Sequence, residues 1–227
     1  MKQLLIMTGP QGSGNHLWSK ILGETPEVEG WTELTKKYWV GHGNEPFALI
    51  WEDPSLFDKI DFPHSHYVTS ISCPYMPIGG PRITKEHPAI VPDYDAFITY
   101  AKLQGFEVKL LVIGREKNIV EYQQQRIRST HTVPMFLKEL DDLMKYDPVF
   151  ASTELLYLYK QNYLKQLSKL LDFPISVTEE KLEEILKDNS NAKYLKYVDH
   201  APLDDHLIAI AAENGDPNNP NVYRPKQ

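Results

Sequence analysis

Lys2-Gln3-Leu4-Leu5-Ile6-Met7-Thr8-Gly9-Pro10-Gln11-Gly12-Ser13-Gly14-Asn15-His16-Leu17-Trp18 decides how the rest of the chain is read. A short apolar run reaches a glycine-rich turn and continues without a breaker into Leu17 to Leu22, which predicts strand, loop and helix in that order. Gly9, Gly12 and Gly14 give the turn access to backbone conformations that bring N–H groups close to a ligand. The helix after the turn contributes the positive end of its dipole. Ser13, Asn15 and His16 add side-chain donors, so the loop suits an anion, phosphate above all. The competing reading is a tight strand-to-helix turn and nothing more. A Walker loop requires G-x-x-x-x-G-K-[ST]; counted from Gly9, its lysine and hydroxyl positions fall on Asn15 and His16. The groups that would hold a nucleoside triphosphate and its magnesium are therefore missing.

Working outward, Gly23-Glu24-Thr25-Pro26 stops the first helix, and Thr32 to Thr35 reads as a short second strand or loop. Phe47 to Trp51 is a continuous apolar run closed by Glu52-Asp53-Pro54, which predicts a buried strand with acids at its carboxyl end. Such acids would match the strand end of a phosphate-loop kinase. Tyr67 to Cys73 predicts another strand, and the prolines and glycines from Pro74 to Pro81 predict a loop that lines a site. Asp93 starts a helix that Gly105 ends, and Val108 to Ile113 is a β-prone run leading into Gly114-Arg115 and a further helix through Arg128. Beyond Pro134 the pattern is helical: Phe136, Leu137, Leu140, Leu143 and Met144 share one face. A short strand is expected over 149–153, with helices over 155–171, 178–186 and 203–212. Alternating strands and helices predict an α/β fold with a mostly parallel central sheet flanked by helices, helix-rich in its C-terminal half. One domain is expected over 1–227, with 213–227 as an irregular extension.

The composition excludes several functions. A net charge of -7 over 227 residues lacks the basic excess that a nucleic-acid surface needs. Cys73 is the single cysteine, so neither an intrachain disulfide nor a C-x-x-C zinc pattern exists. Leu4 to Met7 is too short for a signal peptide or membrane span, and a soluble, cytoplasmic protein without a membrane partner is the expectation. His64-Ser65-His66 offers two imidazoles on one strand face without a further ligand cluster, so surface or acceptor-pocket roles are favoured over a metal. Trp18, Trp31, Trp39 and Trp51 read most simply as core aromatics.

Three segments together resemble the sulfotransferases that use 3'-phosphoadenosine 5'-phosphosulfate (PAPS). Gln11-Gly12-Ser13-Gly14-Asn15-His16 is similar to their phosphosulfate loop, P-[KR]-S-G-T-T, with Asn15 and His16 in place of the paired threonines. Thr25-Pro26-Glu27-Val28 and Trp31 to Thr35 resemble the H-P-x-V and G-E-E-T run of protein-tyrosine sulfotransferases, and Glu33 falls on that group's catalytic glutamate. Leu110 to Val120 resembles the segment in which an arginine at a strand end holds the 3'-phosphate; here that arginine is Arg115. The serine that shares this phosphate eight residues on is replaced by Gln123, with Arg126 and Arg128 nearby. The resemblance covers roughly residues 2 to 172 and implies a P-loop NTPase-like fold.

The implied activity is transfer of a sulfuryl group from PAPS to a hydroxyl or amine on a small-molecule, saccharide or peptide acceptor, without a metal. Gly12, Ser13, Gly14, Asn15 and His16 would hold the 5'-phosphosulfate, Arg115 and Gln123 the 3'-phosphate, and Glu33 would act as base. Two departures matter. Gly12 stands where the family has a lysine or arginine, and His16 and Lys20 are the nearest cations to replace that charge. Ile71 to Pro74 lacks the histidine that many cytosolic members place near the third strand. A phosphate-loop kinase and a nucleotide-binding relative without turnover are the alternative readings.

Overall fold

The computed structural model describes residues 2–31, 42–78, 90–128 and 132–187, with the side chains of 42 and 125–128 excepted. Five strands, β1 (Lys2–Pro10), β2 (Val28–Glu29), β3 (His66–Cys73), β4 (Phe106–Gly114) and β5 (Val149–Ser152), form one sheet in the order β2-β3-β1-β4-β5. All neighbouring pairs are parallel. The helices are α1 (Asn15–Gly23), α2 (Ala48–Glu52), α3 (Tyr94–Leu103), α4 (Lys117–Arg128), α5 (Val133–Leu143), α6 (Thr153–Leu171) and α7 (Glu179–Lys187). This is an α/β fold with a parallel central sheet flanked by helices.

Both faces of the sheet are covered, which explains why β1 and β4 read as unbroken apolar runs. Leu4 and Ile6 of β1 and Leu110 and Val112 of β4 enter one core, with Phe47, Trp51, Phe57, Phe97 and Phe136. Their neighbours Leu5, Met7, Leu111 and Ile113 point the other way, into a core with Trp18, Ile21, Leu22, Leu164 and Leu182. Thus α1, which follows β1, packs on one face, while α3, which follows β3, packs on the opposite one. The adjacent strands β1 and β3 therefore send the chain to opposite sides of the sheet. A crevice at the carboxyl ends of such a strand pair is where open parallel sheets take their ligands.

Most sequence expectations match these elements, and one is corrected. Phe47 to Trp51 is helical, not a strand: Phe47, Ile50 and Trp51 are buried while Leu49 is exposed, a spacing of i, i+3, i+4 that puts three large side chains on one helix face. Five apolar residues in a row fit either element, and the burial of three at helical spacing selects the helix. Glu52 and Asp53 consequently end a helix and not a strand. The Glu52 carboxylate accepts the Ile78 N–H, and Asp53 caps the next turn through the Ser55 N–H. They supply no acidic strand end of the kinase type. The strand preceding the 32–35 segment is the two-residue β2, whereas 32–35, the helix over 203–212 and the extension 213–227 lie outside the described residues.

Among the described residues, no helix is long and apolar enough to cross a membrane.

Candidate functional site

The loop 10–14 leaves β1 at the carboxyl edge of the sheet and is fixed from three directions. Gly12 has φ 93° and Gly14 φ 112°, conformations that a side chain disfavours. Gly9 is needed for another reason: a Cβ there would lie 2.5 Å from the Ile113 carbonyl oxygen and 2.7 Å from Ser13 Oγ. The Ser13 N–H closes the turn onto the Pro10 carbonyl at 3.0 Å.

From the β3 side, Ser13 Oγ donates to Asn15 Oδ1 at 3.1 Å, and Asn15 Nδ2 donates to Ser72 Oγ at 3.0 Å. Both Ser13 and Asn15 are buried. Their side chains brace the loop against the neighbouring strand, so a ligand at the loop would meet backbone N–H groups more than these two side chains.

From the β5 side, Thr153 Oγ1 donates to the Ser13 carbonyl at 2.9 Å and accepts the Trp18 indole N–H at 3.2 Å. From α4 and the turn before it, Arg115 Nη1 donates to the Gly12 carbonyl at 2.7 Å and to Gln123 Oε1 at 3.0 Å. The buried Gln124 amide donates to the Gln11 carbonyl at 2.6 Å and accepts the Thr132 N–H at 2.8 Å. Glu116 positions the start of α4 by accepting the Ile119 N–H at 2.8 Å.

The residues that the sequence singles out do not all meet. Gly12, Ser13, Gly14, Asn15, Arg115 and Gln123 come together around one turn. A Cβ on Gly12 would lie 3.0 Å from Gln123 Oε1, so position 12 faces the Arg115–Gln123 pair. His16, in the first turn of α1, lies against the Trp31 ring with centroids 5.0 Å apart. Lys20 is in the last turn of α1, about 7.5 Å along the helix axis from Asn15. Glu33 lies outside the described residues, as do the side chains of Arg126 and Arg128. His64 and His66 belong to the amino end of β3, near Glu29 and Phe173 respectively, at the edge of the sheet opposite the loop. That corrects their acceptor-pocket reading. Trp18, Trp31 and Trp51 are buried core aromatics, in line with their simplest reading, and Trp39 lies outside the described residues. No group of three or more His, Cys, Asp and Glu side chains among the described residues is arranged to hold a metal.

On the other flank of the loop, sequence reading named the site-lining stretch from Pro74 to Pro81 and missed Glu45 and the hydroxyls of β3. Between β1 and β3, at the switch in chain direction, a cleft of about 40 Å³ is lined by Gln11, Glu45, Trp51, Ser70, Ser72 and Tyr75, with further apolar residues from α2 and the 76–78 segment. Glu45 is buried; its carboxylate accepts the Phe47 N–H at 2.8 Å and the Ser70 N–H at 3.3 Å. Burial pushes its pKa up to about 8, opposed by hydrogen bonds from the Thr69 hydroxyl and from those two amides. Trp51 Nε1 donates to Thr69 Oγ1 at 2.9 Å, completing a chain from indole to hydroxyl to carboxyl. Cys73, at the end of the same strand, is buried with its thiol pushed up to about 12 by burial, and is no nucleophile in that state. The available signal for this flank was the run Thr69-Ser70-Ile71-Ser72, an unusual density of hydroxyls in a buried strand.

No protein-family model matches the chain, and no curated protein matches it in sequence. Among solved structures, it is similar to the tunicamycin resistance protein of Deinococcus radiodurans, at 13% identity and TM-score 0.43, over 78% of this chain and 100% of that one. It is similar to the mouse sulfotransferase SULT7A1 complexed with PAP, at 12% identity and TM-score 0.42, over 99% of this chain and 76% of that one. A sugar kinase from Janibacter sp. HTCC2649 gives 13% identity and TM-score 0.32, over 78% of this chain and 100% of that one. The likeness is remote and spreads over several α/β types, sulfotransferase and kinase among them, and does not single out one family. Any functional reading of this chain therefore rests on the geometry of its own site.

Proposed function

We propose that this protein transfers a sulfuryl group from PAPS to an acceptor hydroxyl or amine at the loop 10–14. The observation that carries the reading is the contact of Arg115 with both Gln123 and the Gly12 carbonyl. The two residues that the resemblance pairs on a 3'-phosphate, eight positions apart, touch each other and abut the phosphosulfate loop. The same contact bears on the missing loop cation. Gly12 has positive φ and no room for a side chain against Gln123, and the Arg115 guanidinium on its carbonyl brings a positive charge to that position. His16 and Lys20 are the further cationic candidates.

In this reading Gly12, Ser13, Gly14, Asn15 and His16 hold the 5'-phosphosulfate, Ser13 by shaping the turn through its N–H on the Pro10 carbonyl and the others through their backbone N–H groups, and Arg115 with Gln123 holds the 3'-phosphate. PAPS supplies the sulfuryl group and a stable bisphosphate leaving group. The protein contributes orientation and positive potential, the two effects on which such transfers chiefly depend. Glu33 accepts the proton of the attacking hydroxyl or amine.

Calorimetry with adenosine 3',5'-bisphosphate, against ATP and magnesium, tests the cofactor. Bisphosphate binding in preference to ATP is expected, and tight ATP binding without bisphosphate binding would overturn the reading in favour of a kinase. Transfer of labelled sulfate from PAPS to an acceptor panel then separates an enzyme from a non-catalytic binder. Glu33→Gln should retain bisphosphate binding and lose turnover by about 100-fold or more; full turnover would remove Glu33 from the proton-accepting role.

A further inference from the structure

Thr153 to Leu171 contains neither glycine nor proline, and nothing in its sequence interrupts a helix. Yet α6 is broken at Lys160, which has φ 45° and ψ −121°. A side chain disfavours that conformation, and such outliers persist only where surrounding contacts hold them. Here the contacts come from both sides of the break. The Lys160 ammonium pairs with the Glu183 carboxylate of α7, and Gln161 Nε2 donates to the Val177 carbonyl at 2.5 Å. The Tyr163 hydroxyl accepts the Ser152 N–H at 2.8 Å. In a continuous helix those two residues would stand about 16 Å apart along the axis, further than a tyrosine side chain reaches, so this bond belongs to the kinked helix alone.

The two halves of α6 are anchored differently. In 161–171, Leu164, Leu167 and Leu171 are buried in the core shared with α1 and α7. In 153–159, Leu156 is buried, whereas Leu155, Leu158 and Tyr159 are exposed. The first turn of this looser half is the part that reaches the loop. Thr153 Oγ1 donates to the Ser13 carbonyl and accepts the Trp18 indole N–H, and the Glu154 carboxylate accepts the Glu116 N–H ahead of α4 at 3.0 Å. We propose that α6 is a two-state hinge at Lys160: kinked, it sets Thr153 against the loop 10–14, and straightened, it withdraws Thr153 and leaves the loop unbraced on that side. The strain at Lys160 favours the straight state, and the contacts of Lys160, Gln161 and Tyr163 favour the kinked one. A displacement of α7 against Lys160 therefore reaches the loop through one helix. The hinge goes beyond the sulfuryl-transfer reading, because it acts on the loop whichever anion binds there.

The test compares two full-length variants, Lys160→Gly and Lys160→Ala, which both lose the ion pair to Glu183. Glycine accepts positive φ and disfavours a continuous helix, and alanine does the reverse, so the ratio of kinked to straight chains should differ between them by about 20-fold or more. The Trp18 indole N–H signal in ¹H–¹⁵N spectra reports the state, because that group is bonded to Thr153 Oγ1. Thr153→Val gives the position of this signal once the hydroxyl is gone. Wild type and Lys160→Gly should coincide, and Lys160→Ala should move about half of the way or more toward Thr153→Val. Tyr163→Phe removes the hydroxyl on Ser152 but keeps the ring beside Trp18, and should move the signal in the same direction. A Trp18 signal that is the same in Lys160→Gly and Lys160→Ala, or displaced in Lys160→Gly alone, overturns the proposal. Adenosine 3',5'-bisphosphate should bind Lys160→Ala about twofold or more weakly than Lys160→Gly. Equal affinities overturn the coupling of the hinge to the loop. Absence of bisphosphate binding in every one of these proteins removes the cofactor reading instead, and the Trp18 signal then decides the hinge.

Discussion

The two flanks of the glycine loop differ in what they set against it: side chains bonded to the loop itself on one, a buried titratable carboxyl on the other. On the flank toward β4, β5 and α4, the Arg115 guanidinium, the Gln123 and Gln124 amides and the Thr153 hydroxyl all bond to the loop or to one another. On the flank toward β3, Gln11 Oε1 has no hydrogen-bond partner among the described residues, and Glu45 is buried with its pKa pushed up to about 8. Buried polar groups stabilise when satisfied and destabilise when left open. The first flank is therefore a scaffold wall that holds the loop in shape, and the second carries the unfavourable burial of Glu45.

The largest effect that would break the contrast is in the pH dependence of stability. Burial holds the proton of Glu45 up to about pH 8, whereas the unfolded chain releases it near 4.5. Between those values the folded state binds more protons than the unfolded one, so stability falls as pH rises through this window, and the loss is complete above it. The contribution is about 3–5 kcal/mol. Urea unfolding of the wild type at pH 5, 7 and 9 should show this decline, and Glu45→Gln should flatten the profile over the same window whatever its absolute stability. An unchanged slope in the variant would mean that Glu45 is ionised in the fold and that the second flank carries no such term.

The next effect lies on the scaffold wall. Arg115→Ala removes the donor to Gly12 and Gln123 and should destabilise by about 2–3 kcal/mol, as expected for hydrogen bonds from a charged group. If the same guanidinium also faces the 3'-phosphate, affinity for adenosine 3',5'-bisphosphate should fall by about 100-fold in calorimetry. Arg115→Lys should rescue little of either, because an ammonium cannot reproduce the planar fork. Loss of stability with unchanged bisphosphate affinity would confine Arg115 to a loop-bracing role.

The scaffold wall and the 74–78 stretch of the other wall were legible in the sequence, and Glu45 was not, for physical reasons. Glycines at 9, 12 and 14 and an arginine at a strand end are local signals, because backbone conformation and strand termination are written within a few residues. The Arg115–Gln123 contact could be anticipated because both residues belong to one strand-to-helix unit. Glu45 carries no local mark: its burial comes from β3, α2 and the 75–78 segment converging, and a glutamate before a proline reads as exposed. The misreading of Phe47 to Trp51 as a strand compounded this, since it singled out Glu52 and Asp53 as a strand end and left Glu45 unmarked, although Glu52 and Glu45 line the same cleft. Asn15 and Ser13 show the converse limit. Their donor chemistry was visible, but the register of β1 on β3, which turns them inward onto Ser72, is a tertiary property.

The smallest effect offers the sharpest comparison, because it sets one serine against another two residues away on the same face of β3. Ser72 Oγ accepts the Asn15 amide at 3.0 Å, so Ser72→Ala leaves a buried donor unpaired and should cost about 1–2 kcal/mol. Ser70 Oγ has no partner among the described residues, so Ser70→Ala should change stability by no more than about 0.5 kcal/mol. Both variants remove the same atoms from the same strand, and propensity and side-chain entropy therefore cancel between them. Chemical denaturation of the pair isolates the hydrogen bond itself. If Ser70→Ala costs as much as Ser72→Ala, the Ser70 hydroxyl is already paired within the fold, and the difference between the two serines disappears.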